Sequence, residues 1–248
     1  MSQKESDEKE SDGKRPGASR SVSSSQQGMH PRLAQVVEKH LASRHRKPIA
    51  EYNLKAFARL TEARAGRRLV LDSFCGTGLS TQRLAAIHPE HFVVGIDQSS
   101  ARLARHQPLA TPPPNYLLLR AHCEPIWQLL REAGISVDFH YLLYPNPWPK
   151  PAHLGRRIHG HPGLADLLAL GGQIELRSNW QLYVEEFGLA LQLAGQQGWI
   201  AQLQVSEPIT LFERKYLASG QALWHYQARL QPKVQYVSTE HGSREVIL

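Results

Sequence analysis

From residue 68 onward, apolar and polar positions change register in a regular way. The runs RLVLDSF, HFVVGID, NYLLLRA, VDFHYLLYP, GQIELRS and WIAQLQV are short, nearly continuous in apolar residues and rich in β-branched or aromatic ones. That is the pattern of strands buried on both faces. Between most of them lie LSTQRLAAIH, SARLARH, PIWQLLREAG, GLADLLALG and QLYVEEFGLALQLAGQQ, whose apolar residues recur at helical spacing. Alternation of the two patterns predicts an α/β fold with a doubly wound, mostly parallel sheet of seven strands. The last run, ALWHYQARL, follows another strand without a full crossover helix, so it is expected to run antiparallel at one side of the sheet.

Two helical patterns precede this region. PRLAQVVEKHLASRHRK opens at Pro31 and places Leu33, Val36, Val37 and Leu41 on one face. A second runs from about Ile49 to Ala65 and carries Leu54, Phe57 and Leu60. The first 28 residues, MSQKESDEKESDGKRPGASRSVSSSQQG, are nearly free of large apolar side chains. Such a segment cannot bury enough surface to offset its ordering entropy. The chain therefore divides into a disordered polar arm over 1–29, a helical N-terminal extension over 30–66 and the main domain over 67–248. No internal repeat is visible.

Charge narrows the partners more than the fold. The formal net charge is +7 and the pI about 9.5, which suits a polyanion such as nucleic acid without specifying one. Two cysteines, Cys75 and Cys123, imply no disulfide framework, so a reducing, cytoplasmic setting is expected. No apolar run reaches the roughly 18 residues that span a bilayer, and the N-terminus lacks the apolar region of a secretory signal. No membrane partner and no metal are assigned. A single compact domain is expected to be monomeric.

Two stretches carry chemistry. The first is LVLDSFCGTG, residues 69 to 78, which reads as strand, tight loop and helix start. Gly76 and Gly78 let the backbone adopt positive φ and approach a ligand closely. Asp97 ends the next strand, near the distance at which an acid meets a ribose. A dinucleotide site would carry three glycines and place pyrophosphate at the helix N-terminus. Here an acid, Asp72, precedes the glycines and would repel pyrophosphate. It suits the cationic part of S-adenosylmethionine.

The second stretch, PNPWPKPAHLGRRIHGHP, follows the fourth strand, where doubly wound sheets bind their ligands. Prolines 145, 147 and 149 stiffen it. Trp148 offers a face for stacking, and Lys150, His153, Arg156 and Arg157 offer donors to phosphate.

At this point the sequence resembles the bacterial tRNA (guanine-N7)-methyltransferase family. That family's pattern is roughly an acid-x-G-C/F-G-x-G loop, an acid after strand two, PDPWPKKRHNKRR after strand four, T-D-W after strand five and T-x-F/Y-E near the end. LDSFCGTG, GIDQS, PNPWPKPAHLGRR, RSNWQLYVEEF and TLFERKY follow in that order from Arg68 onward. The resemblance implies a Rossmann-like class I methyltransferase with S-adenosylmethionine as cofactor, and tRNA or another structured RNA as partner. It implies cofactor contacts at Asp72, Gly76, Gly78, Asp97, His122 and Asn146, and a catalytic position at Asn146. Substrate contacts are implied at Lys150, Asn179, Thr210 and Glu213, and RNA contacts at Trp148, His153, Arg156 and Arg157.

The chain departs from the family in one direction. The acid of PDPW is Asn146, that of T-D-W is Asn179, and the acid expected after strand three is replaced around His122. Guanine N7 carries a free lone pair, so its methylation needs positioning and no prior deprotonation. The product ring is cationic. An asparagine can hold the base by hydrogen bonds but supplies no charge, a loss on the order of 100-fold in rate. Other expected readings are methylation of another RNA or of an exocyclic amine, or RNA binding without catalysis. Asn179 is also expected to cap the helix opening at Trp180, and Thr210 to cap the one carrying Glu213.

Overall fold

The computed structural model describes residues 19–42 and 48–231, together with the strand backbones at 235–238 and 244–247. Residues 1–18 of the predicted arm lie outside the described residues. Two helices come first, α1 (Leu33–Leu41) and α2 (Glu51–Arg64). Then follow β1 (Leu69–Ser73), α3 (Leu79–Ile87), β2 (Phe92–Asp97), α4 (Ser100–Leu103), β3 (Tyr116–Arg120), α5 (Cys123–Glu132) and β4 (Phe139–Leu143). Two 3₁₀ turns, Pro151–Arg156 and Ile158–Gly160, lead to α6 (Leu164–Ala169) and β5 (Gly172–Ser178). The domain continues through α7 (Gln181–Leu193), β6 (Gly198–Gln202), α8 (Leu211–Ala218) and β7 (Trp224–Leu230). Strands β8 (Gln235–Ser238) and β9 (Arg244–Ile247) pair antiparallel with each other.

Seven strands form one sheet in the order β3-β2-β1-β4-β5-β7-β6. The first five pair in parallel, and β7 runs antiparallel to β5 and β6. This is the doubly wound architecture expected from the alternation of patterns. The place of the last strand differs. β7 inserts between β5 and β6 rather than closing one side, because α8 gives the connection enough length to return inward. Burial explains the exchange: β7 buries Tyr226 and Leu230, whereas the exposed β6 suits an edge.

All five positions of β1 and all six of β2 are buried, as central strands covered on both faces must be. One core joins β1, β2 and β5 to α1, α2, α5, α6 and α7 through Leu33, Leu60, Trp127, Leu167 and Phe187. A smaller one packs Leu84 and Ala85 of α3 against Val70 and Val93 on the opposite face. The sheet order reverses between β1 and β4. Doubly wound sheets open their ligand crevice outside the carboxyl ends of strands at such a point.

Candidate functional site

A cleft of about 440 Å³ opens at this reversal. It falls within the roughly 300–1,000 Å³ of small-molecule sites. Phe74 lines it from the loop after β1, Asp97 from the end of β2, His122 from the start of α5, and Tyr144 to Trp148 from the loop after β4. Asn179 follows β5, and Phe212 and Tyr216 lie on α8. Of the predicted residues, Asp97, His122, Asn146, Trp148, Arg156 and Asn179 line this one cleft. A more open hollow of about 300 Å³ on the sheet face, beside Tyr141 and Trp199, holds none of them.

The glycine loop is built as its sequence requires. Gly76 and Gly78 have φ of 62° and 78°, and a Cβ on Gly78 would come within 2.6 Å of Leu118. The Gly76 N–H donates to Asp97 Oδ2 at 2.9 Å, and the Ser99 N–H donates to Oδ1 at 2.8 Å. Arg102 approaches the same carboxylate at 3.4 Å. Asp97 is thus fixed by backbone donors, and each oxygen keeps acceptor capacity for a ribose hydroxyl.

Asp72 sits behind this wall, wholly buried, and does not line the cleft. The hydroxyls of Ser80 and Thr81 donate to its Oδ2 at 2.6 and 2.7 Å, while Oδ1 has no partner among the described residues. Burial pushes the carboxyl up to about 6 against those two hydrogen bonds. A buried acid behind the positive-φ glycines suits a cationic ligand group by its charge, acting across the cleft wall rather than by contact.

Phe74 stands where the family pattern has glycine. Its φ is +65°, a conformation glycine adopts freely, and its ring packs edge-on to Trp127 at 6.0 Å. Tyr144 and Trp148 also have positive φ, at 54° and 45°. Three of the four non-glycine residues in this conformation among the described residues therefore line the cleft. Each costs on the order of 1–3 kcal/mol, which surrounding contacts must offset.

The proline-tryptophan loop divides its basic residues. The Arg156 guanidinium lies 4.9 Å from the Trp148 ring centroid, and His153 meets that ring edge-on at 5.5 Å. Lys150 is exposed beyond Pro149, and Asn146 is exposed at the cleft with its Oδ1 3.3 Å from the Trp148 N–H.

Arg157 corrects the expectation of an RNA contact: its side chain is wholly buried, where no phosphate can reach it. It pairs with Glu186 of α7 and also donates to Gln26 at 3.0 Å and to the Trp148 carbonyl at 3.2 Å. Glu186 further accepts from the Gln26 amide at 2.6 Å and the His30 N–H at 2.7 Å. Ser24 Oγ donates to the Pro149 carbonyl at 2.5 Å, and Gln221 donates to the Ser19 carbonyl at 2.8 Å. The expected disorder over 1–29 is therefore corrected from Ser19 onward. Single polar side chains tie this stretch down, where composition registers only the lack of an apolar core.

Asn179 does not cap α7. The Trp180 N–H donates to Ser178 Oγ at 3.1 Å, and the Asn179 amide donates to Gln221 at 2.8 Å. Thr210 does cap α8, accepting from the Glu213 N–H at 2.9 Å. The Glu213 carboxylate is wholly buried and turned away from solvent. Its Oε1 accepts from Arg177 at 2.7 Å and Tyr144 at 3.1 Å, and its Oε2 from the Ile209 N–H at 2.6 Å. Neither Thr210 nor Glu213 lines the cleft. Phe74, Arg102, Tyr144, Phe212 and Tyr216 do, and sequence reading missed them. Only Phe74 left a signal, as a bulky residue inside a glycine loop.

A doubly wound sheet with an acid-lined cleft at its switch point defines a nucleoside-binding α/β fold. Residues 66–226 match the family described as "Putative methyltransferase". The tRNA (guanine-N(7)-)-methyltransferase of Anaeromyxobacter dehalogenans is 31% identical over 175 residues, covering 64% of this chain and 84% of that protein. The enzyme of the same name from Enterococcus faecalis is 29% identical over 174 residues, covering 64% and 78%. Among solved structures, the 16S rRNA methyltransferase KamB shares the fold, with a TM-score of 0.52 at 19% identity over 75% of this chain and 96% of that one. The chain belongs to the methyltransferase family that includes the tRNA (guanine-N(7)-)-methyltransferases, as a divergent member. Its cofactor is S-adenosylmethionine.

Proposed function

We propose that this protein transfers a methyl group from S-adenosylmethionine to N7 of a guanine in tRNA. One observation carries the reading: the acid that would hold a ribose, Asp97, and the Asn146–Trp148 segment line the same cleft. The names of the curated relatives and the basic pI support tRNA as the substrate. In this reading the protein works as a monomer in the cytoplasm. No helix among the described residues is long and apolar enough to cross a membrane.

When bound, the cofactor supplies an electrophilic methyl carbon. The residues of this chain do the rest by placement. Asp97 accepts the ribose hydroxyls with its remaining lone pairs, and His122 lies at the adenosine end. Gly76 and Gly78 give the backbone close approach, with Asp72 behind them to balance positive charge. Asn146 holds the guanine edge, with a carbonyl to accept and an amide to donate. Trp148, Arg156, His153 and Lys150 form the RNA-facing rim, where cations meet phosphate and the indole meets a base. N7 needs no general base, so positioning and exclusion of water supply most of the rate.

The test is labelled methyl transfer to bulk tRNA, followed by nucleoside mass spectrometry. The expected product is 7-methylguanosine. Absence of cofactor binding by calorimetry overturns the reading, and binding without turnover on any RNA points instead to a non-catalytic RNA-binding role.

A further inference from the structure

The Thr210–Glu213 turn presents a different residue to the substrate from the two its motif implies. Thr210 is spent on the helix cap and Glu213 on Arg177, Tyr144 and Ile209. Between them Phe212 is 45% exposed and lines the cleft. Its ring is held from behind. Tyr216, one turn on, stacks against it at 24° and 6.0 Å, and Tyr144 packs on Tyr216 at 5.6 Å. The Tyr144 hydroxyl is in turn anchored on buried Glu213. A continuous aromatic series therefore runs from a fixed interior carboxylate to an open face in the cleft. Trp148, another aromatic of the cleft, already carries the Arg156 cation. No cation lies over Phe212 among the described residues.

Charge gives that face a purpose. In the proposed transfer, the N7 lone pair forms the new bond to the methyl carbon. The electron pair of the C–S bond stays with sulfur, and the positive charge passes from sulfur to the purine ring; no proton moves. The base-side positions that could carry carboxylate are Asn146 and Asn179. The carboxylates on the cleft wall are Asp97, held by its backbone donors, and Glu124 in the first turn of α5. An aromatic face attracts a cation through its quadrupole and stacks any base by its π surface.

We infer that Phe212 is the platform on which the target guanine stacks, and that its ring offsets part of the charge developing on that base. The inference rests on the proposed N7 reading. It makes Phe212 a catalytic residue of this chain, with Tyr216 and Tyr144 as positioning residues behind it.

The experiment measures single-turnover methylation of tRNA, and separately the Kd for S-adenosylmethionine. The variants are Phe212→Leu, Phe212→Trp, Glu124→Gln and full-length protein carrying mono-, di- or trifluorinated phenylalanine at 212. Phe212→Leu is expected to slow transfer about tenfold with an unchanged cofactor Kd. Phe212→Trp retains the rate, Glu124→Gln leaves it unchanged, and each added fluorine lowers the logarithm of the rate by a similar step. A wild-type rate in Phe212→Leu, indifference to fluorination, or a loss that follows Glu124→Gln instead overturns the inference while leaving the methyltransferase reading intact. If the wild-type protein transfers no methyl to tRNA, both fall.

Discussion

The Tyr144 hydroxyl donates to Glu213 Oε1 at 3.1 Å, across 69 residues of sequence, and so ties the loop after β4 to α8. Burial, with the Glu213 charge beside it, pushes the Tyr144 hydroxyl well above the usual phenol range, so it stays a donor. Tyr144 has positive φ immediately before Pro145 and Asn146. The same carboxylate oxygen receives Arg177, two residues before Asn179. Glu213 thus binds the residues two positions before each asparagine that replaces a family acid.

Removing that carboxylate leaves a guanidinium that is 15% exposed with Glu175 as its remaining carboxylate, and takes away the acceptor of Tyr144 and of the Ile209 N–H. Glu213→Ala is expected to cost about 3 kcal/mol, measured as a lower urea midpoint. Glu213→Gln keeps an acceptor for Tyr144 and should cost about 1 kcal/mol. Equal midpoints for the two variants would show that the charge, which both remove, carries the cost and the acceptor for Tyr144 does not.

Asn146 offers a direct test of charge at the base. Asn146→Asp places a carboxylate at an exposed, cleft-lining position without changing side-chain size. Methyl transfer to guanine N7 should rise about tenfold, with cofactor affinity unchanged. A rate at or below that of wild type refutes a role for charge there.

Cofactor binding should depend on pH through Asp72. Its carboxyl is pushed up to about 6, chiefly by burial, so below that pH the folded protein holds it neutral. A neutral acid does not attract a cation, and the Kd for S-adenosylmethionine should weaken by up to about tenfold per pH unit below 6. Asp72→Asn should bind weakly and independently of pH in calorimetry between pH 5 and 8. A wild-type Kd that is flat over that range would remove Asp72 from cofactor binding.

The two neighbouring arginines of the proline-tryptophan loop should behave oppositely. Arg156→Ala should weaken tRNA binding and reduce the slope of log affinity against log salt by about 1, with little effect on stability. Arg157→Ala removes the partner of buried Glu186 and should cost about 3–5 kcal/mol. Burial pushes the Glu186 carboxyl up, but His159, the His30 N–H and Arg157 outweigh it and hold it near 2. A carboxyl held below its unfolded value stabilises the fold above about pH 4.5, and that contribution is lost as pH falls toward 2. A urea midpoint constant between pH 7 and 3 would contradict this assignment.

What the chain wrote locally could be read locally. Strand and helix periods repeat within a few residues, so the order of β1 to β5, the glycine loop and the proline-tryptophan loop are legible in the residues themselves. The switch point between β1 and β4 is not, because strand order is settled by which strands pair. The rest depends on partners far away in sequence. Arg157 reads as one more cation in a basic run until Glu186, 29 residues on, buries it. Glu213 reads as a motif acid until Tyr144 and Arg177 reach it, and Phe212 gains the cleft only because its neighbour turned inward. The polar stretch from Ser19 to His30 has no apolar pattern to announce that Glu186 and Pro149 hold it. Sequence determined the frame and the two loops that meet in it. Tertiary structure decided which charged and aromatic side chains face the cleft, because burial of a polar group is settled by the partner that satisfies it and not by the residues beside it.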